Sequence, residues 1–92
     1  MRVAAIDQGT TSTRVLVVED GAAEIRHAVR HAQHHPRPGW VEHDPLELLA
    51  NIGACIAAAG PVAAFGLDNQ GESCLAWDGV TGEPLSPIVV WQ

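Results

Sequence analysis

Only one stretch of this 92-residue chain carries a helical pattern, and both of its ends are marked. In DPLELLANIGACIAAAGP, Asp44 is a favoured N-cap and Pro45 suits the first helical position. Glu47 stands three residues after the cap, as in a capping box. Leu48, Leu49, Ile52, Cys55, Ile56 and Ala59 recur at helical spacing and predict one apolar stripe, and Gly60-Pro61 ends the helix. A striped helix needs a second layer to bury against. The rest of the chain reads as strand and turn, so that layer is a sheet.

Arg2–Asp7 is a short apolar run and predicts a buried strand. Thr13–Val18, rich in β-branched residues, is its hairpin partner. Ala23–Ala32 alternates, with Ile25, His27, Val29 and His31 on one face, and predicts a third strand after the turn at Glu19-Asp20-Gly21. Residues 34–39 (HHPRPG) form a loop. Beyond the helix, Val62–Leu67 is another buried strand, Ser73–Trp77 a further one, Asp78–Gly82 a turn, and Pro87–Trp91 a last extended run. Three antiparallel strands followed by a helical crossover to a parallel strand predict an α/β fold with a mixed sheet. One helix covers one face, so the other face is expected to be bare. Together with the apolar run at the end, this leads us to expect a piece of a larger domain.

Composition narrows the function. The formal charge is −6, with five arginines against eleven acids and no lysine. Nucleic-acid binding is not expected, because it needs clustered positive charge, and a Walker-type loop lacks its lysine. No apolar run reaches the roughly 20 residues of a membrane helix, and residues 1–7 do not resemble a signal peptide. A cytoplasmic location is expected. Cys55 and Cys74 lack CxxC spacing and are expected as two packed, reduced thiols. The five histidines find no Cys or acid to complete a ligand set. His43 is assigned to local turn packing, Trp40 and Trp77 to packing, and Asp68 either to a turn or to a cleft.

DQGTTSTR (7–14) lies between the first two strands. Asp7 ends a strand where its carboxylate can face a cleft, and Gly9 permits positive φ and close approach. Thr10, Thr11 and Ser12 add hydroxyls beside turn N–H groups, a combination that forms anion-binding concavities. Arg14 brings a positive charge, and a divalent cation between acid and phosphate would reconcile the two. An ordinary glycine hairpin with surface hydroxyls remains the alternative.

The segment resembles the first phosphate-binding segment of the FGGY carbohydrate kinases, glycerol kinases in particular. PRPGWVEHDP (36–45), FGLDNQGES (65–73), TGEPL (81–85) and IVVWQ (88–92) agree in order and spacing, so the resemblance covers essentially the whole chain. It implies the ribonuclease-H-like fold of actin, sugar kinases and heat-shock ATPases, with residues 1–92 as part of the N-terminal domain. The adenine-binding domain and the general base are expected beyond residue 92. It implies ATP and Mg2+ as cofactors, a polyol or sugar as acceptor, and a homo-oligomeric parent. Asp7 would lie by the metal and the transferring phosphate, and Thr10, Thr11, Ser12 and Arg14 would contact ATP phosphates. Glycerol kinases typically show Arg-Glu after Asn-Gln, both holding polyol hydroxyls, whereas this chain has Gly71 and Glu72. Without the Arg donor, a bulkier polyol or sugar is expected over Gly71. Trp91 resembles an aromatic wall of the acceptor pocket, with a core role as the alternative. PGWVEHDP and NQGES argue against an actin-like or chaperone ATPase. The chain alone is expected to be inactive, and a non-catalytic, self-associating module is the second functional class.

Overall fold

The computed structural model describes residues 1–91. Strands β1 (Arg2–Gln8) and β2 (Ser12–Glu19) form the first hairpin, in register from Arg2 against Glu19 to Gln8 against Thr13. The turn Asp20-Gly21, with both φ values positive, has the hand that favours hairpins and leads into β3 (Ala22–Arg30). Helix α1 (Pro45–Ala59) then crosses to β5 (Ala64–Asp68), which pairs in parallel with β1. The sheet order is β3-β2-β1-β5. Two short strands, β4 (Glu42–His43) and β6 (Ile88–Val89), pair antiparallel beside it. The mixed sheet with one crossover helix is thus the observed architecture.

The helix forms where its ends are written. Asp44 is extended, and its Oδ1 accepts from the Leu46 amide at 3.0 Å, a cap worth about 1 kcal/mol. Glu47 does not close a capping box. Its Oε1 accepts from the Ala32 amide at 3.0 Å, tying the helix start to the end of β3. At the other end no basic residue lies in the last turn of α1. Arg2 Nη2 instead donates to the Ala59 carbonyl at 2.7 Å, placing a cation at the negative end of the helix dipole.

Ala4, Ile6, Val15 and Val17 of the sheet meet Cys55 and Ala59 of the helix, with Ile52, Ala58 and Val62 around them. The predicted stripe divides. Leu48, Cys55 and Ala59 are buried, while Leu49 and Ile56 are exposed. The helix packs on β2, β3 and β1 and leaves β5 uncovered, so Phe65 and Leu67, expected as buried, are open.

Three further expectations change. The β2–β3 ladder slips between Val15 and Leu16, pairing Val15 with His27 and Leu16 with Ile25. That bulge puts Ile25 and His27 on opposite faces, because a one-residue slip exchanges sides. Residues 73–77 form no strand, only bridges from Cys74 to Val89 and from Trp77 to Pro84. Of the two thiols Cys55 is buried, its pKa raised by desolvation, but Cys74 is exposed. Trp40 and Trp77 are more than half exposed, Trp40 lying under the Arg37 guanidinium.

Candidate functional site

The parallel ladder of β1 and β5 ends side by side at Asp7 and Asp68. The loops leaving such carboxyl ends are where open α/β sheets receive ligands. Ala4, Ile6 and Gln8 are buried toward the helix, so Asp7 faces the opposite, open side. Arg14, its partner across the hairpin, faces the same way, and its Nε lies 3.5 Å from Asp7 Oδ2. Both side chains are about half exposed, 54% and 50%, so the pair adds little stability, but it places the guanidinium beside the carboxylate.

The tip between them is drawn closed by the Gly9 amide donating to the Ser12 carbonyl at 2.8 Å. The φ of Gly9 is not positive, so the conformational freedom glycine permits is not used here. A Cβ there would stand 3.4 Å from that carbonyl oxygen, at the edge of ordinary contact. The Thr10 carbonyl accepts from Gln33 Nε2 at 2.7 Å and from His31 Nε2 at 2.9 Å. The Thr11 carbonyl accepts from the His31 amide at 3.2 Å. In a trans peptide the N–H points opposite the preceding C=O, so clamping the Thr10 carbonyl inward turns the Thr11 amide outward. Among the described residues, the Thr10 and Thr11 amides donate to no protein acceptor. Carbonyls in and amides out, beside the Arg14 guanidinium, make a surface suited to an anion.

The second loop follows β5. Glu72 has φ 65, a left-handed conformation that costs a non-glycine residue about 1 kcal/mol and concentrates at functional sites. Gly71 is the reverse case. Its φ is ordinary, and a Cβ there meets nothing within 4 Å. Trp91 closes on this loop: its indole Nε1 donates to Gln70 Oε1 at 3.2 Å, and its amide to Ser73 Oγ at 3.3 Å. At 55% exposure Trp91 is not a core residue. The structure therefore brings Gly71, Glu72 and Trp91 together, and separately Asp7, Thr10, Thr11, Ser12 and Arg14.

What sequence reasoning missed lies between the two loops. His43 is fully buried. Its Nε2 meets Gln33 Oε1 at 2.7 Å, and its Nδ1 meets Gln70 Nε2 at 3.5 Å. His31 stands edge-on with ring centroids 4.4 Å apart. Desolvation, with His31 and His34 adding to it and Glu47 opposing, lowers the His43 pKa below its usual 6.5. No local pattern pairs Gln33, His43 and Gln70. The one clue was three neutral hydrogen-bonding side chains set among turns.

Residues 2–92 match the N-terminal domain of the FGGY family of carbohydrate kinases. The chain belongs to that family. A glycerol kinase of Rhizorhabdus wittichii is 51% identical to this FGGY chain over 98 residues, taking in 97% of the chain and 19% of the relative. One of Halobacterium salinarum is 43% identical over 99 residues, covering 98% and 19%. Among solved structures, the Plasmodium falciparum glycerol kinase with ADP superposes with a TM-score of 0.76 at 32% identity, over 98% of this chain and 20% of that one. A ligand-bound xylulose kinase from Lactobacillus acidophilus reaches 0.87 at 22% identity, over 98% and 19%, and shows the shared fold. This FGGY chain thus spans about a fifth of the length of its curated relatives. Gln92 lies outside the described residues.

Proposed function

We propose that the protein carrying this chain transfers a phosphoryl group from ATP to a hydroxyl of a polyol or sugar, and that residues 1–92 are the first part of its N-terminal domain. The observation that carries this reading is the β1–β2 tip, with its carbonyls clamped inward beside the Asp7–Arg14 pair. The residues fit a nucleotide phosphate: the outward Thr10 and Thr11 amides and the Ser12 hydroxyl donate to its oxygens, and Arg14 offsets its charge. Asp7 is the carboxylate at the tip. That suits Mg2+, which is commonly held by one or two carboxylates together with phosphates. When bound, the magnesium nucleotide supplies the transferable group and neutralises developing charge.

In the second loop Glu72 accepts hydrogen bonds from acceptor hydroxyls, and Trp91 supplies an apolar wall. The room above Gly71 favours an acceptor larger than glycerol. Phosphoryl transfer depends on positioning in a closed site. Residues 1–92 supply one side of that site and are inactive alone in this reading, with the general base and the adenine-binding domain elsewhere in the protein. The protein is cytoplasmic and a homo-oligomer in the same reading, with neither nucleic acid nor membrane as partner. No described helix is long and apolar enough to cross a membrane.

The test is a substrate panel on the longer protein, comparing wild type with Gly71→Arg, whose side chain has space to enter. The substitution is expected to raise glycerol phosphorylation relative to larger acceptors. Unchanged glycerol activity sinks the role of Gly71, and phosphorylation by residues 1–92 alone sinks the divided site. The second reading, a non-catalytic self-associating module, draws on the exposed Leu46, Leu49, Leu67 and Trp77 beside α1 and β5. It requires the chain by itself to sediment as an oligomer.

A further inference from the structure

The two loops of the site are joined by an unbroken line of side chains whose hydrogen bonds all run one way. Trp91 Nε1 donates to Gln70 Oε1 at 3.2 Å, and Gln70 Nε2 donates to His43 Nδ1 at 3.5 Å. His43 Nε2 donates to Gln33 Oε1 at 2.7 Å, and Gln33 Nε2 donates to the Thr10 carbonyl at 2.7 Å. The direction follows from the two ends. An indole N–H only donates and a backbone carbonyl only accepts, so each amide between them must present oxygen toward Trp91's side and nitrogen toward Thr10's. His43 then has one permitted form: Nδ1 bare, Nε2 protonated.

We propose that His43 is a positioning residue which, as the neutral Nε2–H tautomer, sets Trp91 in register with the Thr10 carbonyl and so couples the acceptor loop to the phosphate tip. It touches neither phosphate nor acceptor. Its effect passes through Gln33, which with His31 clamps the Thr10 carbonyl, and through Gln70, which holds the indole. The functional consequence rests on the kinase reading, but the relay itself does not.

Protonation shows why the neutral form matters. A second ring proton on Nδ1 would face the Gln70 amide nitrogen, two donors with no acceptor between them. Turning Gln70 over would satisfy His43 but set nitrogen against the indole N–H. One joint breaks either way, and it lies on the Trp91 side. The ionisable groups around the ring are His31, edge-on to it, His34, and Glu47 at the helix start, with Asp44 next in the chain. Burial, with the two histidines, keeps the proton off His43 against the opposing pull of Glu47.

The test begins with nitrogen-15 correlations of the histidine rings in the labelled protein. His43 is expected as the Nε2–H tautomer at pH 7, and an Nδ1–H or charged ring overturns the proposal. Gln70→Leu removes the middle joint without touching the His43–Gln33 bond. It is expected to shift both the Trp91 indole N–H and the His43 Nδ1 resonances, and an unmoved His43 Nδ1 overturns the relay. His43→Phe, which keeps the ring volume but neither nitrogen, is expected to move the Trp91 indole and Thr10 carbonyl resonances. His43→Gln, which offers one donor and one acceptor, restores them. A His43→Phe protein that fails to fold leaves Gln70→Leu and the tautomer to decide. In kinase assays of the longer protein Gln70→Leu should raise the acceptor KM roughly five- to tenfold, about the worth of one ordinary hydrogen bond, with nucleotide KM unchanged. An unchanged acceptor KM overturns the coupling. If that protein phosphorylates nothing, the kinase reading fails while the resonances still decide the relay.

Discussion

The loops after β1 and β5 leave neighbouring parallel strands, yet they are held by different means. The first is a tight hairpin tip, closed by its own Gly9–Ser12 backbone bond and tied through the Thr10 and Thr11 carbonyls to His31 and Gln33. The second has no ladder of its own. Gln70 and Ser73 are held by Trp91, and Gln70 also by His43, while Gly71 and Glu72 stay exposed and Glu72 is strained. In the proposed reading the first loop meets a phosphate, which presents the same tetrahedron of oxygens whatever carries it, and the second meets the acceptor. Acceptors differ in size and hydroxyl pattern. The second loop, with no closing backbone bond of its own among the described residues, can change its contacts without disturbing the sheet.

The contrast makes distinct demands on the two sides. The largest expected effect is at the tip: Asp7→Asn in the longer protein should slow phosphoryl transfer roughly a hundredfold to a thousandfold while leaving unfolding midpoints nearly unchanged. If the midpoint falls sharply instead, Asp7 is structural and the contrast fails. Next comes His43→Ala, which empties a fully buried position and strips Gln33 and Gln70 of a partner. A loss of about 2–3 kcal/mol in denaturant unfolding is expected.

Acidification should act on the same residue. Below pH 6.5 an unfolded His43 takes up a proton that the buried ring resists, so the unfolded state binds more protons there. Stability is therefore present above pH 6.5 and falls as the pH drops toward the folded value, by at most about 1.4 kcal/mol per pH unit from this group. Thermal unfolding from pH 7.5 to 5 measures it, and His43→Gln should flatten that part of the profile. The smallest effect is at the loop after β5, the acceptor loop of the proposed reading. Glu72→Gly should stabilise by about 0.5 kcal/mol, relief of left-handed strain less the added freedom of glycine when unfolded, while acceptor binding weakens. A destabilised Glu72→Gly protein would mean that the carboxylate holds the loop, making the two loops alike.

Much of the fold was legible before the structure. The hairpin, the capped helix and the parallel return strand rest on local signals: β-branched runs, an Asp-Pro start and a Gly-Pro stop. The misreadings were tertiary. Leu49 and Ile56 match the helical period as well as Leu48 does, but the period cannot say how far the sheet extends beneath them. A bulge beside Arg26 turned Ile25 away from His27, and bulges leave no mark on alternation. Glu47 had the right spacing for its own cap, and the end of β3 claimed it instead.

In the site, the tip residues were readable because one octapeptide contains them all. Their orientation was not, because the carbonyl clamp on Thr10 comes from Gln33 and His31. What the sequence determined by itself is which groups stand at the carboxyl ends of β1 and β5, since strand length and turn chemistry act over a few residues. What only the tertiary structure decided is how those groups are aimed. The bonds that aim them join residues 10 to 27 positions apart, and their direction is settled by a donor at one end and an acceptor at the other.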